Sequence, residues 1–216
     1  ANLDLTGVQW TPIEGFGGTF DGGNFEIKGL TAPLFGAAGG SFKNVKLVDV
    51  NIVETVNPTV GALARFVQAP GADPLTVDNC SVSGKVYVNV TDFVPTVKEN
   101  LTDAAVGSLI GYVGGVHITN CHSSAELDIH QVYSASTSLV VITCGGGIVG
   151  YVRNATDTPH TASVQNCTNT GAVNYTNAVE KLTISARIGG VIGAIHMNTL
   201  ATGLTNRGDV TIKGPF

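Results

Sequence analysis

The chain has 216 residues, of which 43% are hydrophobic and 12% charged, with 28 glycines and a formal net charge of −5. This composition supports a large buried core, and the many glycines with only 6% aromatic residues argue against an ordinary helical domain. The negative charge and the lack of Lys/Arg clusters argue against nucleic acid as a partner. The longest apolar run, residues 138–152, is broken by glycines and too short to span a bilayer.

In chain order, residues 1–31 precede a repeat and are predicted to cap the domain that residues 32–216 build. A relaxed repeat unit covers residues 32–45, and a glycine-flanked apolar segment then recurs at 61–67, 107–113, 146–152 and 189–195. Each copy is followed by a second signature, which is an Asn-Cys pair in three copies and residues 203–204 in the last. Such self-similarity predicts stacked units that share one core.

Each unit is predicted to contain three short strands: the apolar segment, a strand ending at Asn-Cys, and a strand after a small residue, as at 84–86 and 125–127. Helical periodicity is almost absent. We therefore predict an all-β solenoid of about five three-strand coils. Long loops between strands are expected at residues 91–105, 131–143, 153–162 and 174–185.

The asparagine of each second signature has a predicted structural role. Apolar residues lie two positions before it and one after it, and in a straight strand these would point to opposite faces. Both can point inward if the chain bends at the asparagine, which tolerates the left-handed conformation. The stacked asparagines would form an amide ladder, and Gly203 would adopt the same conformation in the last copy. The alternative is that these asparagines are scattered in surface loops. The ladder residues are Asn44, Asn79, Asn120 and Asn166.

The cysteines Cys80, Cys121 and Cys167 occupy the same position of successive units. No Cys-x-x-Cys or paired histidine at ligand spacing accompanies them, so we predict no metal site. Neighbouring copies would stack about 4.8 Å apart with parallel side chains, whereas a disulfide needs converging side chains. Buried free thiols are the favoured interpretation, with a disulfide as the alternative.

Both faces of the apolar first strand are hydrophobic, so it is expected to be covered on both sides. Either a kink or an internal loop provides the second cover, or the face binds a partner. Tyr112 and Tyr151 share a column with Phe66 and Ala194 on this strand. This column is either ordinary core, which is favoured, or an outward aromatic strip that stacks on sugars.

The segments at 106–112 and 146–151, followed by Asn-Cys and a small residue before valine, resemble the GLUG repeat. Residues 17–30 resemble the opening that precedes such repeats in Bacteroidetes surface proteins, and the resemblance covers residues 10–212. It implies a right-handed parallel β-helix exported to the cell surface, and it implies no catalytic residue. The long loops and the loss of Asn-Cys at 203–204 depart from the pattern.

No catalytic constellation is visible, so the chain is predicted not to be an enzyme and to need no cofactor or metal. Acidic residues look scattered rather than stacked, and Asp92 and Asp103 share one loop as weak binding candidates, beside Tyr112 and Tyr151. His117 and His122 lack convincing ligand spacing.

These observations together favour a bacterial adhesin or binding module that presents its loops to a host glycan or extracellular protein. We expect it at the cell surface, anchored to the outer membrane beside further domains of the same protein, without a membrane span of its own. One alternative is a carbohydrate-active enzyme, which would require Asp/Glu and Lys/Arg to converge in a cleft. The other is a structural stalk.

Overall fold

The computed structural model describes residues 1–71, 73–90, 104–131, 141–153, 162–177, 184–196 and 199–214. Within these ranges the chain forms 25 β-strands and no helix, and the strands pair in parallel throughout. The strands return to the same sheets coil after coil, which confirms the predicted all-β parallel β-helix. The right-handedness of the coil stays a prediction.

The strands follow one another in a regular order. The N-terminal segment contains β1 (Leu3–Asp4), β2 (Thr19–Asp21) and β3 (Glu26–Lys28). The first coil contains β4 (Phe35–Ala38), β5 (Ser41–Lys43) and β6 (Lys46–Glu54), and the second contains β7 (Thr59–Val60), β8 (Ala64–Gln68), β9 (Leu75–Asp78) and β10 (Ser81–Asn89). The third contains β11 (Ala104–Gly107), β12 (Ile110–Gly114), β13 (Val116–Thr119), β14 (His122–Ser123) and β15 (Glu126–Gln131). The fourth contains β16 (Val141–Gly146), β17 (Val149–Arg153), β18 (Ser163–Gln165), β19 (Thr168–Asn169) and β20 (Val173–Asn177). The fifth contains β21 (Ile184–Gly189), β22 (Ile192–His196), β23 (Leu200–Thr202), β24 (Thr205–Asn206) and β25 (Val210–Lys213).

Four sheets run along the solenoid. Sheet A contains β1, β3, β6, β10, β14, β15, β19, β20, β24 and β25; sheet B contains β4, β8, β12, β17 and β22; sheet C contains β2, β5, β9, β13, β18 and β23; sheet D contains β7, β11, β16 and β21. Equivalent repeat positions lie opposite each other, as where Tyr112 pairs with Tyr151 in sheet B. The register therefore follows the sequence repeat.

Sheet D was not among the predicted elements. The three strands predicted for each unit form sheets B, C and A, and sheet D adds one strand before each glycine-flanked segment from the second coil onward. Its strands β11, β16 and β21 include the ends of the segments expected as loops at 91–105, 131–143 and 174–185. These strand residues are mostly small or apolar, which lets them pack closely against sheet B.

Sheet D explains how both faces of the first strand are covered. Leu109 and its neighbour Ile110 are both fully buried. A Cβ added to Gly150, on β17, would lie 2.4 Å from the backbone nitrogen of Val106, on β11. The two sheets thus approach backbone to backbone, which only glycine permits. The second face of the first strand is therefore covered from within the chain, which was one of the two expected alternatives. A strand of sheet D provides this cover, rather than a kink or a loop.

Residues 1–31, the predicted cap, continue the same sheets. Strand β2 pairs with β5, and β3 pairs with β6. Isolated bridges join Ile13 to Phe35 and Phe16 to Ala38. Their aromatic side chains pack together, with the rings of Phe16 and Phe35 centred 5.0 Å apart. The boundary between a cap and a repeat region stays a prediction.

The asparagines of the second signature adopt the expected left-handed backbone. Their φ angles are 55° at Asn44, 50° at Asn79, 56° at Asn120 and 54° at Asn166, and Gly203 has 63°. The ladder differs from the expected run of amides. Asn79 donates a hydrogen bond to Oδ1 of Asn44 at 2.8 Å, but Asn120 donates instead to Oδ1 of Asp78 at 2.8 Å. A carboxylate accepts without needing to donate, so it can end a run of amides.

The cysteine column lies in the core. All four cysteines are free and buried. Hydrogen bonds with the thiols of Cys167 and Cys80, together with burial, raise the pKa of Cys121 well above its usual value. The stacked thiols therefore act as small core residues.

Candidate functional site

The outer face of sheet A carries a concentration of polar side chains. Along β10 the side chains alternate between the core and the surface, with Val86 and Val88 buried and Lys85 and Tyr87 half-buried on the outer side. The same alternation operates on β15 and β20. We give the name polar patch to the outer residues of β10 from Lys85 onward and of β15, β20 and β25: Lys85, Tyr87, Asn89, Glu126, Asp128, His130, Asn174, Thr176, Thr211 and Lys213.

The register sets these residues in two rows across the sheet. One row runs from Tyr87 through Asp128 and Asn174 to Thr211. The other runs beside it from Asn89 through His130 and Thr176 to Lys213. Because neighbouring strands lie about 4.8 Å apart, each row spans about 14 Å. The patch is thus a flat surface fixed by backbone hydrogen bonds.

Ion pairs hold one end of the patch. The Nζ atom of Lys85 lies 3.5 Å from Oε1 of Glu126 and 3.4 Å from Oδ2 of Asp128. Oδ1 of Asp128 also lies 3.0 Å from Nε2 of His130. The His130 imidazole carries a charge only when it is protonated. The side chain of Asp128 is 17% exposed, whereas those of Lys85 and Glu126 are 42% and 46% exposed. Asp128 is therefore the anchored centre of the cluster, and its neighbours Lys85 and Glu126 are more exposed to solvent.

An aromatic pair adjoins these charges. The rings of Tyr87 and His130 have centroids 5.3 Å apart and planes inclined by 38°. The residue opposite Tyr87 on β6 is Val53, which is 58% exposed. Tyr87 and Val53 therefore offer an apolar surface beside hydrogen-bonding groups.

A shallow pocket opens at the far end of the patch. It has a volume of about 280 Å³ and is lined by Asp128, His130, Asn174, Tyr175, Thr176, Thr211 and Lys213. Tyr175 is itself 1% exposed, because its side chain points to the core. Burial raises the pKa of Tyr175 to about 12. The pocket is lined by hydroxyl, amide, carboxylate and ammonium groups.

The residues of the predicted aromatic column on sheet B differ in how deeply they are buried. Tyr151 is 1% exposed and belongs to a second buried cluster with Ala105 and Cys144. Tyr112 is half-buried, and burial raises its pKa despite a hydrogen bond with Arg153. Phe66 is 38% exposed, and its ring centre lies 5.7 Å from that of Tyr112. Tyr151 thus lies in the core, and the exposed part of the column lies at Phe66, on sheet B and away from the polar patch.

The remaining predicted binding residues cannot be compared with the site. Asp92 and Asp103 lie outside the described residues. Within the described part of the chain, no group of three or more His, Cys, Asp or Glu side chains could hold a metal ion. No helix among the described residues is long and apolar enough to cross a membrane.

A serine–histidine contact also occurs, on sheet C. Nδ1 of His117 lies 2.8 Å from Oγ of Ser163. A nucleophile must be reachable by substrate, and Ser163 is only 3% exposed. The contact therefore serves to satisfy a buried hydroxyl.

Sequence reasoning missed the polar patch and treated the acidic residues as scattered. The structure corrects this, because Glu126 and Asp128 stand opposite Lys85 and Tyr87 on the neighbouring strand. Aligning the third strands on the small residue that precedes them would have predicted this pairing. The signal is the alternation of polar and apolar residues along 85–89 and 126–130.

Comparison with known proteins identifies a similar fold. A solved structure of a putative immunoglobulin A1 protease from Bacteroides ovatus superposes with a TM-score of 0.58 and 15% sequence identity, covering 99% of this chain and 76% of that chain. No family model matches the chain, and no curated protein matches it either. The resemblance to GLUG repeats therefore remains a prediction, with which a neighbour from Bacteroides is compatible.

Proposed function

We propose that this chain is an extracellular binding module of a bacterial surface protein, and that its polar patch binds a glycan. The observation that carries the proposal is the arrangement of Tyr87 and Val53 beside Asp128, Asn174 and Thr211 on a rigid sheet. A sugar ring has an apolar C–H face and hydroxyl groups at its edge. The apolar side chains can pack against the C–H face of the sugar, and the carboxylate, amide and hydroxyl groups can form hydrogen bonds with its hydroxyl groups.

The position of the patch on strands supports binding with little rearrangement. A site on regular strands is held more precisely than one on loops, so less conformational entropy is lost on binding. The loops at 91–105 and 131–143, which sequence reasoning favoured, lie largely outside the described residues. The proposal therefore replaces loop presentation with recognition by the sheet.

The proposed location and partners follow from the same function. We place the module outside the cell, anchored at the outer membrane with further domains of the same protein, where a host glycan or glycoprotein is accessible. The likeness to the Bacteroides ovatus structure is compatible with this location. At 15% identity it supports the fold alone, so the protease activity named for that protein is not transferred.

The test is a glycan-array and extracellular-matrix binding screen of the purified protein and two variants. We expect glycan binding, and we expect Asp128→Ala and Tyr87→Ala each to weaken it at least tenfold, because Asp128 is the anchored carboxylate of the patch and Tyr87 supplies its aromatic surface. Thr76→Ala, an exposed change on sheet C, is the matched control and should bind as wild type does. Absence of glycan binding, or binding unaffected by both patch variants, would contradict the proposal.

A second candidate function is a carbohydrate-active enzyme, favoured by the convergence of Glu126, Asp128 and Lys85. Acid–base chemistry on sugars uses such carboxylates. Against it, a catalytic site gains from excluding water, whereas this patch is flat and its Lys85 and Glu126 side chains are nearly half exposed. Incubation with the glycans that bind, followed by mass spectrometry of the products, decides between the two: intact glycans support the binding module.

A further inference from the structure

The pocket end of the polar patch differs in charge from the Lys85 end. At the Lys85 end, one ammonium contacts two carboxylates, Glu126 and Asp128. At the pocket end, Lys213 reaches the same face on the last strand, β25, and forms no ion pair with any carboxylate in the described part of the chain. Among the described residues, Lys213 is therefore the one cation of the patch without a carboxylate partner.

The groups around Lys213 complement an anion. Thr176 lies directly opposite Lys213 on β20, and Thr211 precedes it by two residues on the same face. His130 lies opposite Thr176 on the next strand. Hydroxyl, imidazole and ammonium groups can all donate hydrogen bonds to an oxyanion. The carboxylate that lines this pocket, Asp128, is already in contact with Lys85 and His130.

From this arrangement we infer that the patch binds an acidic saccharide, with the carboxylate or sulfate group of one sugar in the pocket at Lys213 and the neutral rings extending toward Tyr87. The inference rests on the proposed glycan-binding function and names its ligand class. The row from Thr211 to Tyr87 spans about 14 Å, so an oligosaccharide of a few sugars can contact both ends.

The negative net charge of the chain does not prevent an anion from binding at Lys213. The net charge is −5, which slows the approach of an anion in dilute salt. At physiological ionic strength charges more than about 8 Å apart are largely screened, so the local groups around Lys213 determine selectivity.

The experiment compares matched saccharides by isothermal titration calorimetry. The probes are trigalacturonic acid, its methyl ester as the neutral counterpart, and a sulfated chondroitin tetrasaccharide. We expect the acid to bind about fivefold more tightly than the ester, the magnitude of one exposed ion pair. Because the chondroitin fragment also carries uronate carboxylates, its desulfated form is measured beside it. Loss of binding on desulfation would assign the pocket to sulfate, and a preference for the galacturonate over its ester with no effect of desulfation would assign it to carboxylate.

Variants identify the cation responsible. We expect Lys213→Gln to bring the acid and the ester within twofold of each other, because the Lys213 ammonium is the group that distinguishes a carboxylate from its ester. Lys46→Gln, an exposed lysine at the start of β6 in the same sheet, should leave the preference intact. Equal binding of acid and ester by the wild type, abolished by Asp128→Ala, would overturn the inference and leave the glycan-binding function standing. No binding of any probe, together with a negative glycan screen, would overturn both.

Discussion

At the residue scale, the repeating bend of the solenoid depends on a small set of left-handed residues. Asn44, Asn79, Asn120 and Asn166 have φ between 50° and 56°, and glycine replaces asparagine at position 203. The sequence alone predicts this conformation, because the spacing of the flanking apolar residues requires a bend. It could not predict that Asp78 accepts from Asn120, since the ladder partner depends on side-chain rotamers.

Replacing Asn120 with alanine should destabilise the protein by about 2 kcal/mol, through left-handed strain and loss of the bond to Asp78. Asn120→Gly keeps the backbone conformation and loses only the side-chain bond, so it should cost less. Urea unfolding of the three proteins measures the difference. Equal losses in the two variants would show that backbone conformation contributes nothing.

A partly buried ion pair stabilises the turn after β6. Oε2 of Glu54 lies 2.8 Å from a guanidinium nitrogen of Arg65, and Oε1 accepts backbone hydrogen bonds from Val56 and Asn57. Burial raises the pKa of Glu54, but the bonds from Asn57, Val56 and Arg65 outweigh it and lower the pKa below the usual 4.5. The folded state therefore favours the charged carboxylate.

This shift predicts the pH dependence of a Glu54→Gln variant. Because the folded pKa is lower than the unfolded one, the unfolded state binds more protons between the two values and stability rises with pH there. The variant should lose roughly 1–3 kcal/mol at pH 7, and the difference from wild type should shrink as the pH falls through the folded pKa. Thr76→Ala, an exposed change at a residue without an ionisable group, should show no such trend in urea unfolding at several pH values. A constant difference across pH would contradict the assignment.

At the element scale, the close contact of sheets B and D explains the glycine-rich repeat. Sequence reasoning recognised that the first strand is apolar on both faces and offered internal cover as one explanation. It could not predict sheet D, because short runs such as Ala104–Gly107 look like loop ends when read without their partners. Sheet D forms only when the coils stack, because β11 and β16 then find hydrogen-bonded partners on both sides.

Gly150→Ala tests this contact. The added Cβ would lie 2.4 Å from the backbone nitrogen of Val106 and 2.8 Å from the backbone carbon of Ala105, neither of which can move independently of its strand. We expect a loss of about 1–3 kcal/mol in thermal or urea unfolding. Gly17→Ala has no atom within 4 Å of its added Cβ and should be neutral. A neutral Gly150→Ala would show that the two sheets are further apart.

At the scale of the whole molecule, the repeat predicts the architecture well and the site poorly. The coils reuse one register apart from a shift between Val82 and Gly84 where β10 pairs with β6, so aligned sequence positions predict which residues stack, as for Cys80, Cys121 and Cys167. The polar patch arises where that register brings together residues that do not repeat. Lys85, Asp128 and Lys213 lie on the same face of three different coils, and no local pattern marks them as a group.

The proposal that the outer face of sheet A binds a glycan is tested most directly by amide chemical-shift mapping. The protein is titrated with the glycan that binds most tightly in the screen. We predict that the perturbed amides lie on β10, β15, β20 and β25, around Tyr87, Asp128, Thr176 and Lys213. Perturbations centred instead on Phe66 and Tyr112 of sheet B, or on the segments at 91–103 and 132–140, would contradict the proposal that the outer face of sheet A is the binding surface.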